Sequence, residues 1–306
     1  MSTAARAPLD RVQRPPAAGT ALPTFLVIGA MKCGTTSLHH YLGQHPEIFV
    51  PSMKETNFFS PPEEFPYSPG SQRIETLADY ERLYDPAFAV RGDTSPSYAD
   101  APRHKGVPER IKAVLADAKL IYLVRDPIAR TLSHYHHRVS VEREERTLAQ
   151  ALGELSDPCS PYTCSSFYAR QLEAYLRHFP QERILVVDQT DLLRDRRATL
   201  REIFAFLSVD ESFVSPEFEE EFAKVDGLRT YTNFVILVRR ARATPLQRLP
   251  RSWRVFMRDT VTRLLSQPLA PAELDEDLRT RLAELYDKDA NALRRLTGKT
   301  FPTWSV

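Results

Sequence analysis

The stretch Phe25-Leu-Val-Ile-Gly-Ala-Met-Lys-Cys-Gly-Thr-Thr-Ser37 decides the fold. Phe25 to Ile28 reads as a buried strand, Gly29 turns the chain, and hydroxyl side chains follow at Thr35, Thr36 and Ser37. A helix comes next, with Leu38, Tyr41 and Leu42 on one face, and it stops before Pro46. Strand, glycine-bounded loop and helix start form a phosphate cradle, because loop N–H groups and the positive end of the helix dipole face one anion. The lysine sets the chemistry. A nucleotide-hydrolysing loop reads G-x-x-x-x-G-K-[ST], with lysine directly after the second glycine. Thr35 holds that place here, and Lys32 stands two residues before Gly34. The loop is therefore expected to hold a phosphate without the lysine and Mg²⁺ arrangement of an ATPase. A P-loop nucleotide kinase or NTPase remains an alternative that Thr35 argues against.

A second stretch, Lys119-Leu-Ile-Tyr-Leu-Val-Arg-Asp-Pro-Ile-Ala-Arg-Thr-Leu-Ser133, follows roughly ninety residues later. The strand ends at Arg125, Asp126 caps the next helix and Pro127 suits its first turn. Ile128, Leu132, Tyr135 and Val139 form the expected buried stripe, which leaves Ser133 off it. Arg125 supplies a charge-assisted pair to a phosphate and Ser133 a hydroxyl donor.

In order, the two stretches resemble the 5′-phosphosulfate loop and the 3′-phosphate segment of sulfotransferases that use 3′-phosphoadenosine-5′-phosphosulfate (PAPS). The likeness is best to the heparan sulfate glucosaminyl sulfotransferases and their bacterial relatives. It covers most of residues 24 to 208 and, more faintly, Gly298-Lys-Thr-Phe-Pro-Thr-Trp304. The resemblance implies a P-loop-like parallel sheet with helices on both faces, the sulfotransferase fold. It implies that Lys32, Cys33, Gly34, Thr35 and Thr36 hold the 5′-phosphate and that Arg125 and Ser133 hold the 3′-phosphate. It implies PAPS as donor, 3′,5′-ADP (PAP) as product, and no metal. In that family a Glu followed by two residues and Phe-Phe is the proposed base; Lys54-Glu-Thr-Asn-Phe-Phe59 carries that role to Glu55, beside Lys32 as the second catalytic residue. Asp93 and His104 are the rival base positions. Two departures stand out. Thr94, in Gly92-Asp-Thr-Ser-Pro-Ser-Tyr98, occupies a place where those enzymes carry lysine, and their Lys-Gly-Arg lid segment has no clear match after Phe222.

The remainder alternates between α and β. Ala89 to Gly92, Leu120 to Val124 and Arg183 to Asp188 read as strands. Pro108 to Leu115, the Phe167–Phe179 and Leu200–Leu207 periodicities, and a long final run from Leu274 to Leu296 read as helices. This order implies an α/β parallel sheet, with binding at the carboxyl ends of its strands. A chain of 306 residues, 42% of them hydrophobic, suits one domain over residues 24–306 behind a mobile tail, 1–23. A net charge of +1 gives no case for nucleic acid, and no apolar run reaches the roughly 20 residues of a membrane span. The tail has no apolar signal region, and three cysteines make no disulfide framework; Cys159 and Cys164 are expected as free thiols in a cytoplasm. His134, His136 and His137 are expected to be solvated or hydrogen-bonded rather than metal ligands.

Pro61, Pro62, Pro66 and Pro69 stiffen the loop Ser60 to Ser71, and seven arginines between 239 and 258 follow an acidic run at Glu217 to Glu221. The composition, rich in Ala, Arg and Pro, points to a bacterial source. The expected reaction moves a sulfuryl group to a hydroxyl or amine of a small metabolite, lipid or saccharide. The remaining alternatives are a non-catalytic PAP-binding protein and a partner-docking protein. Oligomeric state is not legible.

Overall fold

The computed structural model describes residues 21–61, 73–142, 144–153, 155, 160–219, 229–231, 266–268, 272 and 274–306. Residues 1–20 of the expected tail, most of the proline-rich loop, Cys159 and the arginine-rich segment lie outside the described residues; Ala21 to Pro23, read as part of the mobile tail, are instead buried, with Arg91 Nε donating to the Leu22 carbonyl at 2.8 Å. Its elements, in chain order, are β1 (Phe25–Gly29), α1 (Thr35–Leu42), β2 (Ile48–Phe49), α2 (Leu77–Glu81), β3 (Val90–Thr94), α3 (Val107–Val114), β4 (Lys119–Val124), α4 (Pro127–His137), α5 (Leu148–Ala151), α6 (Tyr168–Leu176), β5 (Ile184–Asp188), α7 (Gln189–Arg194), α8 (Arg196–Leu207), β6 (Arg229–Tyr231), β7 (Ser266–Pro268) and α9 (Glu276–Thr297).

Five strands form one sheet in the order β2-β3-β1-β4-β5, with every pairing parallel. All of β1, and β4 from Leu120 onward, is buried. Successive side chains of a strand point to opposite faces, so the sheet centre is covered on both faces, and its strands read as unbroken apolar runs. β6 and β7 make a separate antiparallel pair.

The strand read as Ala89 to Gly92 runs instead from Val90 to Thr94. Its buried end is polar, Asp93 and Thr94, which hides it from a hydrophobicity reading. α4 also departs from its expected stripe. Arg130, Thr131 and His134 are buried with Ile128 and Tyr135, while Leu132 is only half-buried. The helix is enclosed on more than one side, by residues 160–166 and by the final helix.

That final helix bridges two clusters of apolar side chains. Leu278, Leu282 and Tyr286 pack with Ile128, Tyr135 and Leu148, whereas Ala290 and Leu293 join the core around the sheet. Asp275 caps α9 by accepting from the Leu278 N–H at 2.7 Å, so the helix starts after Leu274 and not at it. Asp289, midway along, accepts from the Ala169 and Arg170 N–H groups at 2.9 and 3.0 Å and fastens α9 to the head of α6.

The closing segment then crosses the carboxyl ends of β4 and β5. Trp304 stacks on Phe301 with centroids 4.4 Å apart and donates its Nε1–H to Asp188 at 3.1 Å. The Ser305 backbone N–H and hydroxyl both donate to Asp126. Trp304→Ala removes a buried indole and leaves Asp188 short of a donor. It is expected to lower stability by about 3 kcal/mol, read as a fall in the denaturation midpoint. An unchanged midpoint would show that this segment is not a fastening of the sheet.

Candidate active site at the carboxyl ends of the strands

Chain order and strand order differ at β1. From β1 the chain builds β2 and β3 on one side, then crosses to β4 and β5 on the other. The connections leaving β1 and β4 run to opposite sides and open a crevice between their carboxyl ends, the general ligand position in open α/β sheets. Lys32 lies in the loop after β1, and Arg125 directly follows β4. Glu55 is tied to the end of β3 through its N–H, which donates to the Thr94 carbonyl at 2.9 Å. The topology thus brings the three expected residues to one end of the sheet.

The loop after β1, expected to hold a phosphate, is built by local backbone geometry. Gly34, at φ 91°, occupies the left-handed region that side chains disfavour, and Lys32 shares that region at φ 71°. Gly29 is required for close approach, since a Cβ there would lie 2.8 Å from that of Ala99. The N-terminus of α1 has no side-chain cap and no acidic residue in its first turn, so its leading N–H groups face outward unsatisfied by side chains. By contrast, α4, α8 and α9 are each capped by an aspartate. Thr36 is exposed and Thr35 buried. Cys33 turns its thiol into the core, with Sγ 3.6 Å from the Tyr168 hydroxyl, and burial pushes its pKa up to about 11. Only the backbone of Cys33 is left to meet a ligand.

Arg125 leans against this loop, with Nη1 3.5 Å from the Lys32 carbonyl oxygen, and among the described residues it pairs with no carboxylate. Ser133 is half-buried on α4, off the face that packs inward.

The Glu55 segment is held from below. Asp93 is completely buried and accepts hydrogen bonds from the hydroxyls of Thr56, Tyr80, Ser95 and Tyr98, at 2.8 to 2.9 Å. Burial raises its pKa against the pull of these donors. The Asn57 N–H donates to Ser95 Oγ at 3.2 Å, and Phe58 stacks on Tyr80 at 4.3 Å. Glu55 itself is exposed, at φ 64°, and its carboxylate pairs with Lys54. The two rival base positions are both buried. Asp93 is sealed under its four hydroxyls, and His104 is buried with Nδ1 2.8 Å from the Ser97 carbonyl oxygen.

Residues not anticipated as site members complete the crevice. His39 on α1 places Nδ1 3.1 Å from Thr94 Oγ1. Burial, then the Lys54 and His40 charges, push its pKa down to about 4, against a pull from Glu55. His137 at the end of α4 is also pushed down to about 4, by burial first and by Lys32 next, with Glu55 opposing. Lys32 and Glu55, from loops on different strands, therefore act on one imidazole. Gln189, first residue after β5, extends its amide over the loop; a Cβ on Gly34 would meet its Nε2 at 3.5 Å. Its position after a strand's carboxyl end was the available signal. Among the described residues, no group of three or more His, Cys, Asp or Glu side chains is placed to hold a metal ion, and no helix is long and apolar enough to cross a membrane.

Residues 23–212 match the family model described as the sulfotransferase family, and the chain belongs to that family. Membrane-associated sulfotransferase kil1 of Dictyostelium discoideum is 38% identical over 120 residues, covering 39% of this chain and 23% of that protein. Heparan sulfate glucosamine 3-O-sulfotransferase 3B1 of Mus musculus is 30% identical over 204 residues, covering 64% of this chain and 49% of that protein. The chain spans less than half the length of either relative. Among solved structures, a sulfotransferase from Alicyclobacillus acidocaldarius superposes with a TM-score of 0.69 at 26% identity, over 94% of this chain and 100% of that one. A mouse sulfotransferase complexed with PAP shares the fold, with a TM-score of 0.50 at 14% identity over 90% of this chain and 88% of that one.

The histidines give the site a pH signature. Both imidazoles hold folded pKa values near 4, against an ordinary 6.5. Below pH 6.5 the unfolded chain takes up protons that the folded protein refuses. Their contribution is thus complete above that pH and is lost as pH falls toward 4, at up to about 1.4 kcal/mol per pH unit for each histidine. His39→Gln is expected to flatten the decline in urea stability between pH 7.5 and 5.5. A parent-like slope in the variant would show that His39 is not held neutral.

Proposed function

We propose that the protein transfers a sulfuryl group from PAPS to a hydroxyl or amine of a small metabolite, lipid or saccharide. The observation that carries this reading is the meeting of Lys32, Glu55 and Arg125 at the carboxyl ends of β1, β3 and β4, around a helix N-terminus left uncapped. The residues present suit the nucleotide. The N–H groups of Gly34, Thr35 and Thr36 and the Thr36 hydroxyl would hold the 5′-phosphate, with the Cys33 backbone beside them. Arg125 and Ser133 would hold the 3′-phosphate, which separates PAPS from ADP-type nucleotides.

PAPS supplies a sulfuryl group that is already activated. What remains for the protein is positioning, charge stabilisation and removal of one proton. Glu55 accepts that proton from the acceptor's hydroxyl or amine, and Lys54 and the Asp93 network fix the segment that carries it. The Lys32 ammonium stabilises negative charge as it collects on the 5′-phosphate side. In this reading residues 24–306 act as one catalytic domain.

Relatives named for heparan sulfate favour a saccharide. Thr94, neutral and bonded to His39, and the unmatched lid segment argue against a polyanionic glycosaminoglycan. Composition favours a bacterial source, and the buried free thiols Cys33 and Cys164 suit a reducing cytoplasm. Mass spectrometry of products formed from a metabolite library and PAPS identifies the acceptor; no sulfated product from any class would leave the transfer reading without support.

Arg125→Ala is expected to weaken PAP about 10- to 150-fold while 5′-AMP binding changes little, because the lost charged pair contributes about 1.5–3 kcal/mol. Equal losses for both ligands in calorimetry would show that Arg125 does not read the 3′-phosphate.

Glu55→Gln is expected to lower kcat by about 10²- to 10⁴-fold with PAP affinity retained. Asp93→Asn and His104→Gln, at buried positions, should lower the unfolding midpoint as well as activity. Parent-like kcat in Glu55→Gln, with collapse in a folded variant of either other residue, would move the base away from Glu55.

A further inference from the structure

Arg130 stands in the first turn of α4, five residues after Arg125, and its side chain is completely buried. Nε donates to Ser166 Oγ at 2.5 Å, Nη2 donates to the Tyr162 carbonyl, and Nη1 lies 3.4 Å from His134 Nδ1. Around this group sit further hydroxyls: Thr131 Oγ1 is 3.2 Å from Ser166 Oγ and 2.8 Å from the Tyr286 hydroxyl. His134 is itself held neutral, its pKa lowered by burial first and by Arg130 second. The guanidinium is therefore hydrogen-bonded but has no opposite charge, since no carboxylate pairs with it among the described residues.

That arrangement is unfavourable twice over. A buried charge without a counter-charge keeps much of its desolvation penalty. Near the head of a helix, a cation also opposes the positive end of the macrodipole. One addition relieves both: an anion at the N-terminus of α4, where Arg125 already stands. The field of Arg130 extends as far as the phosphate loop, because Arg130 and Arg125 both pull the Cys33 thiol toward its ionised form.

We propose that Arg130 is a positioning charge for the nucleotide: without touching it, the buried guanidinium supports Arg125 and Lys32 in drawing the two phosphates of PAP to the heads of α4 and α1. The inference rests on the sulfotransferase reading of the site. It makes the unliganded protein carry an electrostatic strain that PAP relieves. A purely structural arginine, pinning residues 160–166 beneath α4, would contribute equally with and without nucleotide.

The test compares the parent with Arg130→Gln and Arg130→Met, which remove the charge, and Arg130→Lys, which keeps it. PAP is titrated calorimetrically, and unfolding midpoints are read with and without PAP. Both neutral variants are expected to weaken PAP by at least about fivefold, the effect of one unit charge acting through protein at an effective dielectric near 20. Their unliganded midpoints should suffer less than their PAP-bound ones. A smaller loss of affinity in a folded neutral variant, or equal losses of midpoint in both states, overturns the proposal. Should neither neutral variant accumulate, Arg130→Lys decides. PAP affinity kept within about fivefold supports a role for charge, and a greater loss assigns Arg130 to hydrogen-bonded anchoring alone. Failure of the parent to bind PAP would strike at the cofactor reading; parent binding with unaffected variants strikes only at Arg130.

Discussion

β1 lies between β3 and β4 and runs parallel to both, so three chain segments are forced to turn at the same edge of the sheet. A buried parallel strand satisfies its backbone groups within the sheet, whereas the segments leaving its end must find partners elsewhere. The segment leaving β1 becomes the Lys32 loop, the one leaving β4 begins with Arg125, and the segment after β2 returns to dock Glu55 against Thr94 at the end of β3. Cations and unsatisfied N–H groups collect at that edge because the topology leaves no other outlet for them.

Holding these groups requires backbone that a free chain avoids. Lys32 and Glu55 both sit at positive φ. Each such residue costs about 1–3 kcal/mol unless its surroundings over-determine it. The surroundings do so differently. Lys32 is set by the turn in which the Cys33 N–H bonds the Ala30 carbonyl at 3.1 Å. Glu55 is set by Asp93, whose four hydroxyl donors come from the segment itself, from α2 and from the turn after β3. The buried carboxylate acts as a clamp that leaves the neighbouring exposed one in place.

Legibility in the sequence followed the range of the interactions. β1, β4 and β5 were readable because burial on both faces writes an apolar run. The turn between β1 and α1 and the place of Arg125 directly after β4 were readable because their structural signals are next in sequence. β3 was placed short, since its buried end is polar: Asp93 is a poor strand residue, and both it and Thr94 are bonded to Thr56, Tyr80 and His39, elsewhere in the chain. α2 and α7, at five and six residues, are too short to show a helical period. Arg130 was invisible for a different reason: arginine is expected at the surface, and only the packing of α9 and residues 160–166 over α4 encloses it. His39 and His137 likewise carry no local signal; their neutral state follows from burial beside lysines contributed by other loops.

A crystal structure of the protein grown with PAP tests the central claim most directly, because it locates each phosphate independently of turnover. The account predicts the 5′-phosphate on the N–H groups of Gly34 to Thr36 and the 3′-phosphate on Arg125 and Ser133, with the Glu55 carboxylate open to the acceptor side. Density for PAP at another edge of the sheet, or a 3′-phosphate remote from Arg125, would contradict it.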